Sequence, residues 1–153
     1  MSHHTTTLSW KRTTADFVYA TYVRDHALTF GTGSELDVSS APEYKGNPAL
    51  PNPEELLVGS LSSCHMLTFL AVAAREGFVV DAYDDAAVGV LEKNDAGRMS
   101  VTRVTLRPRV TFGVGGTQPD AETVKRLHDT SHRGCFIAQS VKTLVTVEGV
   151  SAR

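Results

Sequence analysis

The sequence predicts an α+β domain in the order β-β-β-α-β-β-α-β. Three observations carry that reading. A mostly apolar stretch opens at Asn52-Pro53 and closes at Gly77, which is the length of a long helix and too long for a strand. Two runs with alternating apolar residues flank Asn94-Asp95-Ala96-Gly97, a turn sequence suited to a hairpin. A shorter segment with apolar residues at helical spacing begins at Asp120 and stops at Gly134.

In chain order, Phe17, Tyr19, Thr21 and Val23 alternate with smaller or polar residues, and Leu28 and Phe30 carry the pattern on to Gly31 and Gly33, so this region is expected to be strand. A short strand over 35–39 follows, and the proline-rich SAPEYKGNPALPNP is an irregular loop. Asn52 suits a helix N-cap, Pro53 the first helical position, and Glu54 and Glu55 the positive end of the helix dipole. The helix is expected to run to about Glu76. Being apolar on most of its circumference, it is expected to be buried all round. The hairpin arms are expected at 79–92 and 99–112, with Val101, Val104, Leu106 and Val110 in the second. The second helix covers about 120–133 with Val124 and Leu127 on its apolar face, and a last strand spans 143–149.

The 153 residues fit a single domain, 1–153, with no linker, repeat or low-complexity segment. A net charge of −2, from 15 basic and 17 acidic residues without long runs, argues against nucleic acid or an anionic membrane as partner. No signal peptide is visible, and Ser60, Ser62, Ser63, His65 and Thr68 interrupt the longest apolar segment, so a membrane span is not expected and the location is expected to be cytoplasmic. In a reducing compartment, a disulfide between the two cysteines, Cys64 and Cys135, would be transient.

Those cysteines are the residues that carry chemistry. Cys64 lies within the long helix among Gly59, Ser60, Ser62 and Ser63, and Cys135 just past the second helix. Taken singly, each reads as a small buried hydrophobe. Each also has a histidine nearby, His65 and His132, and a nucleophilic cysteine needs a group that favours the thiolate. Adjacent helical residues point about 100° apart, so His65 does not serve Cys64 directly.

Asn52-Pro53-Glu54 at a helix start with Cys64 ten residues beyond the glutamate, the stretch from Arg24-Asp25 through Leu36-Asp37-Val38 to Pro42 and Gly46, and His132-Arg133-Gly134-Cys135 followed by Ser140 together resemble the OsmC/Ohr family of cysteine-based peroxidases. The resemblance implies an intertwined homodimer and a thiol-dependent reduction of organic, including fatty-acid, hydroperoxides in oxidative-stress defence. Cys64 would attack the O–O bond and become a sulfenic acid, and Cys135 would condense with it to a disulfide. Arg24 would favour the thiolate and polarise the peroxide, held by a bidentate ion pair with Glu54. Leu67, Phe69, Phe136, Ile137 and Tyr44 would line the site, and a dithiol such as a lipoyl group would be the reductant, with no cofactor and no metal.

Departures from the family pattern are His65, where a bulky apolar residue is usual, His26 near Arg24, and Phe136 in place of proline; they suggest a less-characterised branch. Arg12 and Arg75 are alternative arginines for the site. Two rival readings stand beside this one. His132-x-x-Cys135 with Cys64 and His65 or His128 would be a metal site. An apolar dimer crevice with incidental thiols would make the protein a carrier of a small lipophilic ligand.

Overall fold

In the computed structural model the chain opens with a three-stranded antiparallel sheet, β1 (Thr6–Ser9), β2 (His26–Phe30) and β3 (Glu35–Val38), in the order β1-β2-β3. Leu28 pairs with Leu8 on one side and Leu36 on the other, which sets the register. Residues 1–149, 151 and 152 are described. The chain forms two compact units, Met1–Leu56 and Leu57–Arg153.

The expected strand at 17–23 is not formed. Phe17 and Tyr22 pack against Trp10 at centroid separations of 5.9 and 6.4 Å and against each other at 5.1 Å, and the Trp10 Nε1–H donates to the Val23 carbonyl at 2.9 Å. The alternating aromatic side chains pack on one another in a loop, so the backbone has no ladder to join. The strand that does precede β2, β1, is the polar TTLS, recognisable only through its pairing. The proline-rich loop holds one 3₁₀ turn, Pro42–Tyr44.

Helix α1 spans Pro53–Arg75. Asn52 Oδ1 accepts the Glu55 N–H and Glu55 Oε2 accepts the Asn52 N–H, both at 2.9 Å, a reciprocal cap that satisfies two backbone donors. At the other end Gly77 takes φ 81°, and the Phe78 N–H closes back on the Ala73 carbonyl at 3.0 Å. Burial along α1 is narrower than its composition suggests. Leu61, His65, Phe69 and Ala73 form one buried stripe at four-residue spacing, while Leu67 is 61% exposed.

In the second unit the two expected hairpin arms are each split in two. The first gives β4 (Val80–Asp85) and β5 (Val88–Lys93), the second β6 (Met99–Leu106) and β7 (Pro108–Phe112). Both break at one place. Asp85 turns its carboxylate to the Arg107 N–H (2.6 Å) and the Ser62 hydroxyl (2.5 Å), and Pro108, its register partner, has no N–H to give. The Asn94–Gly97 turn forms as expected, with Gly97 at φ 72°.

Helix α2 (Ala121–Gly134) starts at Asp120, whose carboxylate accepts the Thr123 N–H at 2.8 Å, and a short α3 (Phe136–Gln139) follows Cys135. Strand β8 (Leu144–Val147) then pairs parallel with β6, and β9 (Ser151–Ala152) parallel with β7, giving sheets β5-β6-β8 and β4-β7-β9. One core joins Phe69 and Ala73 to Val110, Phe112, Val124 and Leu127; a second joins Leu61 to Val104, Leu106 and Val145. His65 falls between them, the one polar residue of the α1 stripe.

Candidate active site

Cys64, on α1 one residue off the buried stripe, is half-buried. It opens into a groove of about 790 Å³ lined by Leu67, Thr68, Ala71, Arg75, Phe136 and Ile137 among others. Cys135 joins α2 to α3 and is 1% exposed; its sulfur accepts the Ala138 N–H at 3.4 Å, capping α3. Both cysteines are free thiols. Burial first, and then the interaction with the neighbouring Cys64 thiol, pushes the Cys135 thiol up to about 11, so it holds its proton near neutrality.

Gly134, one residue before Cys135, lies close against Thr68 of α1. A Cβ there would stand 3.1 Å from the Thr68 Cγ2, tighter than most side-chain contacts. Thr68 in turn donates its hydroxyl to the Cys64 carbonyl at 2.8 Å and is held one turn along the same helix.

The other expected site residues belong to the first unit. Arg24 donates to the Tyr22 carbonyl at 2.7 Å and the Tyr19 carbonyl at 2.6 Å, with its guanidinium carbon 4.0 Å from the Tyr22 ring centroid. The expected ion pair with Glu54 is not formed; no salt bridge joins them among the described residues, because the Arg24 donors are spent on its own loop. The first-turn acid that caps α1 is Glu55. His26 Nδ1 sits 2.9 Å from the Arg24 carbonyl, and Tyr44 lies in the 3₁₀ turn. Of the proposed lining residues Leu67, Phe136 and Ile137 face the groove, whereas Phe69 is fully buried in the core.

Behind Cys64 lies a group whose pairing the sequence did not reveal. His65 Nε2 is 3.1 Å from His128 Nδ1, with ring planes 1° apart and the residues 1% and 2% exposed. Phe69 stacks on His128 at 4.3 Å. Burial is the main cause that lowers both imidazoles to about 4, helped at His65 by His132 and at His128 by His65, while Asp85 and Asp129 oppose it. Burial likewise pushes the Tyr83 hydroxyl up. His65 Nδ1, His128 Nε2, His132 Nδ1 and the Tyr83 hydroxyl are buried without a protein partner. No set of three or more His, Cys, Asp or Glu side chains among the described residues is arranged to hold a metal ion, so the donors of the rival metal reading do not converge. The signal that marks the pair is positional: a histidine on each apolar face, among Leu61, Phe69 and Ala73 on α1 and beside Val124 and Leu127 on α2, calls for a buried partner.

The family model for OsmC-like proteins matches residues 46–149, about two thirds of the chain and including both cysteines. The chain belongs to the OsmC-like family. An OsmC-like protein of unknown function from Vibrio cholerae is 42% identical, with a TM-score of 0.92 over 97% of this chain and 99% of its own. An organic hydroperoxide resistance protein from Elizabethkingia anophelis shares the fold at 16% identity, with a TM-score of 0.72 over 96% of each chain. The uncharacterised YmaD of Bacillus subtilis is 21% identical over 126 residues, 82% of this chain and 83% of its own. The α+β OsmC-like fold expected from the sequence is the one found.

Proposed function

We infer that this OsmC-like protein is a thiol-dependent peroxidase that reduces organic hydroperoxides to alcohols. The observation that carries the reading is the pair of free thiols in one unit, one half-buried beside an apolar groove and the other buried, protonated and next to it. In the proposed cycle the Cys64 thiolate attacks the outer peroxide oxygen, the O–O bond breaks, and the leaving alkoxide takes up a proton to become the alcohol. The sulfur of Cys135 then attacks the sulfenic sulfur, the S–S bond forms and the S–O bond breaks, and the departing hydroxide leaves as water with the Cys135 proton. A dithiol supplies the two electrons and two protons that restore both thiols. The apolar groove favours a hydrocarbon substituent on the peroxide, since each buried CH₂ contributes about 0.8 kcal/mol.

A homodimer belongs to the same reading. Helix α1 is long and apolar enough to cross a membrane by length and composition alone, yet 22% of its most apolar window is buried within the chain. A second copy of this chain is the cover we propose for the rest.

The test is a stoichiometric titration of the reduced protein with cumene hydroperoxide, followed by free-thiol assay and intact mass. Wild type is expected to lose both thiols and about 2 Da as the disulfide forms. Cys64→Ser is expected to abolish the reaction and Cys135→Ser to stop at a sulfenic acid. Thiols that survive excess hydroperoxide would overturn the reading and turn attention to the groove as a carrier site for a lipophilic ligand.

A further inference from the structure

We propose that His65 and His128 are positioning residues that tether the two thiol-bearing helices, holding Cys64 and Cys135 within bonding reach. The pair is well placed for it. His65 follows Cys64 on α1, and His128 stands seven residues before Cys135 on α2. Their 3.1 Å contact is the one side-chain hydrogen bond between α1 and α2 among the described residues. A second tie, the bidentate Arg126–Glu76 ion pair at 2.6 and 2.8 Å, joins α2 to the residue after α1 and is solvent-exposed. Exposed pairs of that kind hold little. The histidine bond is shielded from water by Phe69 and the surrounding core.

The bond requires uncharged rings. One imidazole N–H must face one bare nitrogen, and either tautomer assignment satisfies that. Two imidazolium rings would present two donors to each other. The groups facing the pair are His132 on α2, Asp85 and Tyr83 on β4, and Asp129 on α2. With both imidazoles lowered by burial, the rings are neutral across the physiological range, so the tether is closed whenever the protein works.

The consequence concerns the second chemical step. Sulfenic acid on Cys64 has two fates. Cys135 converts it to a disulfide and water; a second hydroperoxide converts it to sulfinic acid and another alcohol. A tether that keeps the sulfurs adjacent favours the first. This partition rests on the peroxidase reading, whereas the tether itself does not.

The experiment therefore measures the dithiol–disulfide equilibrium of the Cys64–Cys135 couple in glutathione redox buffers, which involves no peroxide. Three proteins are compared: wild type, His128→Phe, which fills the space without the bond, and His128→Asn, whose amide stands where Nδ1 stood. His128→Phe is expected to lower the effective concentration of the two thiols at least tenfold, about 30 mV in potential, and His128→Asn to recover most of it. His65→Gln serves as the second rescue should His128→Asn fold poorly, with urea unfolding run on each protein so that a general loss of stability is separated from the tether. An unchanged potential in His128→Phe, or a loss that neither amide variant recovers, overturns the proposal. Cumene hydroperoxide is run in parallel. A wild type that cycles in glutathione but ignores the hydroperoxide sinks the peroxidase reading and leaves the tether standing.

Discussion

Lowering the pH from 7 to 5 is expected to destabilise the reduced protein by roughly 3 to 4 kcal/mol through His65 and His128 alone. Each imidazole falls from 6.5 to about 4 on folding. A folded-state value depressed in this way contributes stability that is fully present above 6.5 and is lost as pH falls toward 4. Between those values the unfolded chain binds up to two more protons than the folded one, a slope of about 2.7 kcal/mol per pH unit. Between pH 7 and 6 the unfolded histidines are only partly protonated and about half of that slope is realised, which gives the smaller integrated figure. Glu76, Asp120 and Asp129 are held below their ordinary carboxylate values by Arg126, the Thr123 N–H and Lys125, so their losses come below this window. The assay is urea unfolding by circular dichroism at pH 7, 6 and 5, with a phosphine reductant and one protein concentration throughout. His128→Phe is expected to halve the slope, and His65→Phe/His128→Phe to remove it. Wild type and the double variant losing stability in parallel would refute the assignment.

Gly134→Val is expected to cost about 1 to 3 kcal/mol and to slow disulfide formation, because its side chain enters the gap now held against Thr68; thermal unfolding and quenched-flow mass analysis read the two effects. Arg75→Gln is expected to lower the preference for a fatty-acid hydroperoxide over cumene hydroperoxide about fivefold, the worth of one exposed charge on a carboxylate, since Arg75 lines the groove eleven residues beyond Cys64, some 16 Å along the helix; equal ratios of kcat/KM in both proteins would refute it. Arg24→Ala is expected to slow the first peroxide step at pH 7 at least tenfold, which tests the role that the family resemblance implies for this arginine. An unchanged rate would leave Arg24 as the fastener of the Tyr19–Tyr22 loop seen in the structure.

What the sequence disclosed was mostly local. The ends of α1 follow from Asn52-Pro53 and Gly77, the start of α2 from Asp120 and the hairpin turn from Asn94–Gly97, because caps and turns are settled by residues a few positions apart. The 17–23 segment reads as a strand because alternation describes both a strand and a loop whose aromatics pack on Trp10. The arms appeared unbroken because the contact that breaks them, Asp85 with Ser62 and Arg107, spans more than twenty residues. Composition showed that α1 is apolar but not how much of it one chain covers. At the site, both cysteines were legible as residues with a role. The histidine pair was not, since its partners lie 63 residues apart and only the fold unites them.

The parallel pairing of β8 with β6 has a bearing on synthesis. Strand β6 is central to its sheet, and its second neighbour lies some forty residues downstream, Arg103 opposite Leu144 and Leu106 opposite Val147. A ribosome that has released β6 has therefore supplied only one edge of its ladder, and the other stays open until α2, α3 and β8 have emerged. At about 5–20 residues per second, that is a delay of a few seconds in which an apolar strand edge is available to other nascent chains. Closure by long-range contacts also makes the final step slow compared with helix formation. Chaperone capture during translation would thus matter most over the interval between residues 106 and 147.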